Sequence, residues 1–143
     1  MKKILVTGGS GFIGRHVVNS LLKRKYKVTL LDLVNPKRKD VRFVKGSILN
    51  KKLIKSLLKE NKIVFHLAAQ SDINKSTRDP SKTILINILG TKSLLEESKK
   101  SKVRRFIFAS TYYPSRKNVR NIYSTSKNIS ELLIKNHNVL YGL

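Results

Sequence analysis

Four glycines, Gly8, Gly9, Gly11 and Gly14, stand in the stretch Thr7-Gly8-Gly9-Ser10-Gly11-Phe12-Ile13-Gly14, directly after the apolar run Ile4-Leu5-Val6. Glycine lets a backbone turn sharply out of a strand and approach a ligand with no Cβ in the way. Beyond Gly14, Val17, Val18, Leu21 and Leu22 recur at helical spacing, so a helix begins inside the glycine loop. Its unpaired N–H groups then face whatever sits at the turn, and a phosphate is the default occupant. An ordinary strand-to-helix turn is the competing reading, which only the context of the loop can exclude.

That context is an alternation of strand-length apolar runs and longer helical patterns, the signature of βαβ units. Strands are expected at Lys3–Val6, Lys27–Leu33, Val41–Val44, Ile63–Leu67 and Val103–Ala109. Helices are expected at Lys51–Lys59 behind an Asn50 N-cap, from Pro80 to near Lys100, and from about Ile122 to Asn138. The fold class is therefore α/β, a Rossmann-type doubly wound parallel sheet of about five strands with flanking helices. Within it the glycine loop lies after the first strand, and Asp32 falls at the end of the second. A carboxylate there accepts hydrogen bonds from an adenosine ribose and repels a 2′-phosphate, so NAD is expected over NADP, although Lys37, Arg38 and Lys39 keep NADP open.

At 143 residues the chain is one domain with no linker or repeat, and it has no cysteine, which excludes disulfides and thiolate metal sites. No metal site is expected. No apolar run reaches the roughly 20 residues of a membrane span, and a cytoplasmic location is expected. The net charge of +23 attracts polyanions, yet the 31 basic residues are spread over nearly every segment and no aromatic residues interleave the densest run, Lys99 to Arg105. A dedicated nucleic-acid role is not expected.

The second half holds the chemistry. Tyr123 and Lys127 are four residues apart, and on a helix they share one face. The ammonium would favour phenolate and lower the phenol pKa toward neutrality. Thr111 follows the fifth strand at the end where open parallel sheets bind ligands, and its hydroxyl could orient a substrate beside Tyr123; closing the strand is its plainer role. His66 reads as a satisfied core histidine, while the small side chains of Ala68 and Ala69 would let a flat cofactor lie against the backbone.

Together TGGSGFIG (Thr7–Gly14), HLAAQSD (His66–Asp72), Asp79-Pro80, NILGT (Asn87–Thr91), FAST (Phe108–Thr111) and YSTSK (Tyr123–Lys127) resemble the extended short-chain dehydrogenase/reductase superfamily. They are specifically similar to the N-terminal portion of its NAD-dependent epimerase/dehydratase family, which includes UDP-glucose 4-epimerases. The resemblance spans essentially the whole chain. It implies a bound NAD with Gly8, Gly11 and Gly14 at the pyrophosphate, Phe12 and Ile13 donating from the backbone, and Asp32 on the ribose. Leu67, Ala68 and Ala69 would line the cofactor, and Asn87 would help hold its nicotinamide half. Tyr123 would take a hydroxyl proton from a nucleotide sugar, Lys127 would bind the ribose and lower the phenol pKa, and Thr111 would bridge to substrate.

Three departures stand out. Where the family commonly has an acidic residue contacting adenine, this chain has Gly46-Ser47-Ile48, leaving Ser47 and Ile48 for that contact. The connection from Thr111 to Tyr123 is short, and its Arg116, Lys117 and Arg120 either meet a diphosphate or are solvated. The sequence also ends at Gly142-Leu143 just after the helix of Tyr123, where family members continue with further strands and a substrate domain. Residues 1–143 are thus expected to be an incomplete NAD(P)-binding domain, poorly active alone, with the missing half lost, encoded downstream or supplied as a separate chain. Pairing as a homodimer through the helices near 80–100 and 122–138 is expected from the resemblance. The alternative is a non-catalytic basic NAD-binding module that senses cofactor or docks on an acidic partner.

Overall fold

The computed structural model describes residues 2–112 and 121–142. Its elements follow the alternation of the sequence. Strands β1 (Lys3–Thr7), β2 (Lys27–Asp32), β3 (Arg42–Lys45), β4 (Ile63–His66) and β5 (Arg105–Phe108) form one parallel sheet in the order β3-β2-β1-β4-β5. Helices are α1 (Phe12–Lys23), α2 (Lys51–Glu60), α3 (Ile73–Arg78), α4 (Pro80–Thr83), α5 (Thr91–Lys100) and α6 (Ile122–Tyr141). The chain moves outward from β1 through β2 to β3, then returns to the other side of β1 for β4 and β5. That reversal opens a crevice at the C-terminal ends of β1 and β4, where ligands bind in such sheets.

Alternation along the strands divides the core. Leu5, Leu31 and Val64 point to one face and pack with Ile54, Leu57 and Leu58 of α2, Leu94 of α5, and Val103. Ile4, Val6, Val28 and Leu30 point to the other and pack with Val18 and Leu21 of α1. Asn50 caps α2 through its side chain, which accepts from the Leu53 N–H at 3.0 Å, as its position before the helix predicts.

Two features differ from the sequence reading. The short helix α3 had no apolar period to announce it; Asp72 starts it by accepting from the Lys75 N–H at 3.0 Å. The expected continuous helix from Pro80 to Lys100 contains a π-helical segment, Ile84–Gly90, between α4 and α5. Asn87 lies in that segment, and its carbonyl accepts from the Thr91 hydroxyl at 2.6 Å and the Ser130 hydroxyl of α6 at 2.8 Å. Hydroxyls competing for a main-chain carbonyl in this way accompany a local departure from α geometry. No helix among the described residues is long and apolar enough to cross a membrane.

Candidate functional site

The glycine turn is shaped by close approaches. Gly8 has φ +73°, and a Cβ there would lie 2.5 Å from the Ala68 nitrogen, so the turn after β1 packs directly on the turn after β4. Gly14 is buried beneath that turn, where a Cβ would strike the Gly8 oxygen and the Gly9 backbone. Gly14 thereby seats α1 on the turn and is not part of the cleft wall. Gly11 is different: it lines the cleft, and a Cβ there would meet only the Gly8 oxygen, at 3.4 Å. Gly11 also begins α1 with no side-chain cap and no acidic residue in the first turn, so the helix N-terminus is left for an external acceptor. The side chains of Phe12 and Ile13 are exposed in that first turn, leaving their backbones as their contribution.

From this turn a cleft of about 480 Å³ crosses the strand ends. Its walls include Gly8, Asp32, Ser47, Ile48, Leu67, Ala68 and Ala69, all positions singled out from the sequence. Ile48 is 5% exposed with its side chain in the core, so it borders the cleft chiefly through its backbone. Asp32 accepts from the Ser10 N–H at 2.9 Å and the Val34 N–H at 3.1 Å, tying the glycine turn to the end of β2. Each carboxylate oxygen keeps a further lone pair for a ribose hydroxyl. Arg38 is committed to Asp40, at 2.6 and 2.7 Å, and to Asn19 at 2.9 Å, which favours NAD over NADP. Lys82 also borders the cleft; sequence reasoning missed it, although its place just after Pro80 was a usable signal.

Behind the cleft lies a buried polar chain. His66, 1% exposed, has Nδ1 2.8 Å from the Thr7 hydroxyl and Nε2 2.9 Å from the Thr91 hydroxyl. Because Thr91 donates its own proton to the Asn87 carbonyl, Nε2 must carry the histidine proton and Thr7 must donate to Nδ1. Thr7 also accepts from the Ala68 N–H at 3.3 Å. Burial, with Lys127 adding repulsion, pushes His66 down to about 3, so the ring is neutral, the satisfied core histidine its sequence context indicates. Asn87 accepts from the Gln70 N–H at 2.8 Å and donates to the Gln70 carbonyl at 3.1 Å and the Ser126 hydroxyl at 2.9 Å. Its amide therefore holds the segment after β4 against α6. Ser126 and Ser130, which the sequence reading passed over, are the α6 ends of this tie; their four-residue spacing beside Lys127 was the only sign.

The same turn of α6 carries Tyr123 and Lys127. Asn121 caps it by accepting from the Ser124 N–H at 2.8 Å, and Thr111 hydrogen-bonds the Tyr123 phenol, joining the end of β5 to the helix. The expected fall in the phenol pKa does not appear: burial pushes Tyr123 up, and the Thr111 hydrogen bond only opposes it. The reason is where the ammonium goes. Lys127, 3% exposed, places Nζ over the Phe108 ring, 4.2 Å from its centroid, and burial pushes it down to about 8 against the attraction of Glu131. Arg116, Lys117 and Arg120 lie outside the described residues. Among the described residues no group of three or more His, Asp or Glu side chains could hold a metal.

The sequence from residue 4 to residue 143 matches the NAD dependent epimerase/dehydratase family. This chain belongs to that family. A UDP-glucose 4-epimerase of Haemophilus influenzae is 33% identical over 92% of the chain and 47% of the relative. A dTDP-D-glucose 4,6-dehydratase of Dictyostelium discoideum is 36% identical over 78% of the chain and 29% of the relative. Among solved structures, the UDP-glucose 4-epimerase of Thermotoga maritima with UDP-glucose superposes with TM-score 0.92 at 32% identity. The UDP-glucose 4-epimerase of Thermus thermophilus in complex with NAD gives 0.89 at 30%. Each of the two superpositions covers 99% of this family member and 52% of the solved chain, so the chain spans about half the length of those enzymes.

Proposed function

We propose that this chain binds NAD in the cleft and supplies the proton-transfer residues of a nucleotide-sugar epimerase or dehydratase. The carrying observation is the hydrogen bond of Thr111 to Tyr123 on the helix that Asn87 ties to the cleft wall. The residues fit a dinucleotide. The open Gly11 position accommodates a pyrophosphate, Asp32 accepts from a ribose, and Leu67, Ala68 and Ala69 leave a flat floor. When bound, NAD supplies a hydride acceptor for a sugar carbon. Tyr123 takes the proton of the hydroxyl on that carbon, and Thr111 orients that hydroxyl toward it. Lys127, largely cationic at neutral pH, binds a ribose hydroxyl and adds the positive charge that offsets burial of the phenolate. Proton transfer without a positioned Tyr123 has no acceptor, so the intact set favours an enzyme over a cofactor sensor.

Turnover is proposed to need a segment such as the solved relatives have beyond the aligned half. Among the described residues β5 is the edge strand, and it, with an apolar groove of about 420 Å³ beside it lined by Ile4, Val17, Ile63, Phe65 and Ile107, would receive that segment. A second reading, a basic module docking on an acidic partner, is favoured by a cleft of about 670 Å³ at the opposite rim with Lys55, Lys59, Lys100, Lys102 and Arg104 in its wall. Calorimetric titration of NAD decides between mere attraction to a cationic surface and a built site. Binding is expected to survive about 0.5 M salt, where surface charges are screened, and to weaken roughly tenfold or more in Asp32→Ala. Binding that vanishes in salt, or that is indifferent to Asp32→Ala in a folded variant, would overturn the cofactor reading.

A further inference from the structure

The densest basic run of the sequence, Lys99 to Arg105, folds onto the rim of the sheet opposite the glycine turn. There the C-terminal ends of α2 and α5 meet the starts of β4 and β5 around the cleft of about 670 Å³. Six cationic side chains, Lys55, Lys59, Lys62, Lys100, Lys102 and Arg104, share its wall with one carboxylate, Glu97. Two of the six are spent internally. Lys62 donates to the Leu58 carbonyl at 3.1 Å and the Ser101 carbonyl at 2.5 Å, closing the ends of both helices, and Lys100 pairs with Glu97 at 2.8 Å. Lys55, Lys59, Lys102 and Arg104 take part in none of the ion pairs among the described residues. Lys55 and Lys59 stand one helical turn apart, a like-charged spacing that weakens a helix unless an anion lies between them. Lys102 holds φ +53° in the turn after α5, a cation where glycine is the usual residue.

We infer that this cleft binds a linear oligophosphate, at a site separate from the dinucleotide cleft. The groups left free are charges that converge on one recess, where their fields add. Lysine meets phosphate as a point charge, so density of negative charge along the ligand matters more than its shape. An acidic peptide finds no main chain here to pair with. The N–H groups of Ser101, Lys102, Val103 and Arg104 already donate to the carbonyls of Glu97, Lys99, Ser98 and Lys62, and Lys62 occupies the Leu58 and Ser101 carbonyls. A nucleic acid finds no aromatic side chain in the wall on which a base could stack. A chain of phosphates needs neither.

The test is calorimetric titration of the chain with tripolyphosphate at about 0.15 M salt. It compares the unaltered protein with two double variants, Lys59→Gln with Lys102→Gly and Lys25→Gly with Lys135→Gln. The second removes the same charge away from the cleft, and Lys25 lies at φ +60° in the turn after α1, as Lys102 does after α5. Glycine is at ease at both left-handed positions, so both variants keep the fold. Saturable binding is expected, weakened roughly tenfold in the first variant and less than about twofold in the second. Gly11→Val is expected to leave it unchanged, because the glycine turn lies at the other rim. No binding, or equal weakening in the two double variants, which would show attraction to net charge alone, overturns the inference. So does loss of binding in Gly11→Val, which would put tripolyphosphate at the glycine turn. An oligothymidylate or oligoglutamate of matched charge is expected to bind more weakly, and either one binding as tightly overturns the choice of a phosphate chain.

Discussion

Replacing Gly11 by valine is expected to abolish dinucleotide binding while leaving the fold in place. Gly11 has φ −71° and ψ 177°, extended backbone open to any L-residue, and its Cβ would meet only the Gly8 oxygen at 3.4 Å. The added side chain therefore finds room in the free protein, and that room is in the cleft wall where the pyrophosphate must approach the backbone. A loss of roughly a hundredfold or more in affinity, equivalent to about 2.7 kcal/mol, is expected by calorimetry. Valine is a poorer N-cap than glycine, so stability should fall only by about 1 kcal/mol or less. Gly14→Val is the contrast: its Cβ would run into the Gly8 and Gly9 backbone, which has nowhere to move. That variant should lose several kcal/mol of stability or fail to fold. A Gly11→Val protein that binds NAD normally would show that the pyrophosphate does not lie at this turn.

The second large effect is on acid stability and centres on His66. The ring is held neutral by burial and by donors and acceptors already committed on both sides, so the folded chain resists protonating it down to about pH 3. The unfolded chain takes up that proton near the ordinary histidine value, about 6.5. Between those values the unfolded state binds more protons, so stability rises with pH and is lost as pH falls below about 6.5. Denaturant titrations at about pH 7.5 and about pH 5 should differ by about 2 kcal/mol from this group. Burial also pushes His137 down, which adds a contribution of the same sign. His66→Leu should be less stable at neutral pH, because the Thr7 hydroxyl loses its acceptor, yet its stability should depend less on pH across the same interval. An unaltered chain whose stability is flat from about pH 7.5 to about pH 5 would contradict the neutral, tautomer-locked ring.

Much of the architecture was legible in the sequence because it rests on local signals. Hydrophobic runs of strand length set β1, β2 and β4 to within a residue or two, and Asn50 sits at a helix start because its side chain satisfies a free N–H group. Strand β5 came out shorter than its apolar run, Arg105–Phe108 against Val103–Ala109, since pairing along β4 spans only four residues. The π segment was invisible, because Asn87 departs from α geometry through a partner, Ser130, far along the chain.

The site divides in the same way. Sequence by itself determined which residue types stand at the strand ends, namely the glycine turn, Asp32, the small Ala68 and Ala69, and Thr111, and that Tyr123 and Lys127 share one helix face. These follow from spacing, since each lies where a run ends or one helical turn from its partner. Only the tertiary structure decided how they divide the work. Gly14 packs under the turn while Gly11 faces the cleft, because the path of α1 over Gly8 and Gly9 leaves room on one side alone. Asn87 spends its amide on Gln70 and Ser126. Lys127 lies over Phe108, so burial and not its charge governs the Tyr123 phenol. Charge and hydrogen-bonding capacity are written in each residue, but their effect depends on distance and burial, and those exist only once the sheet and α6 have come together.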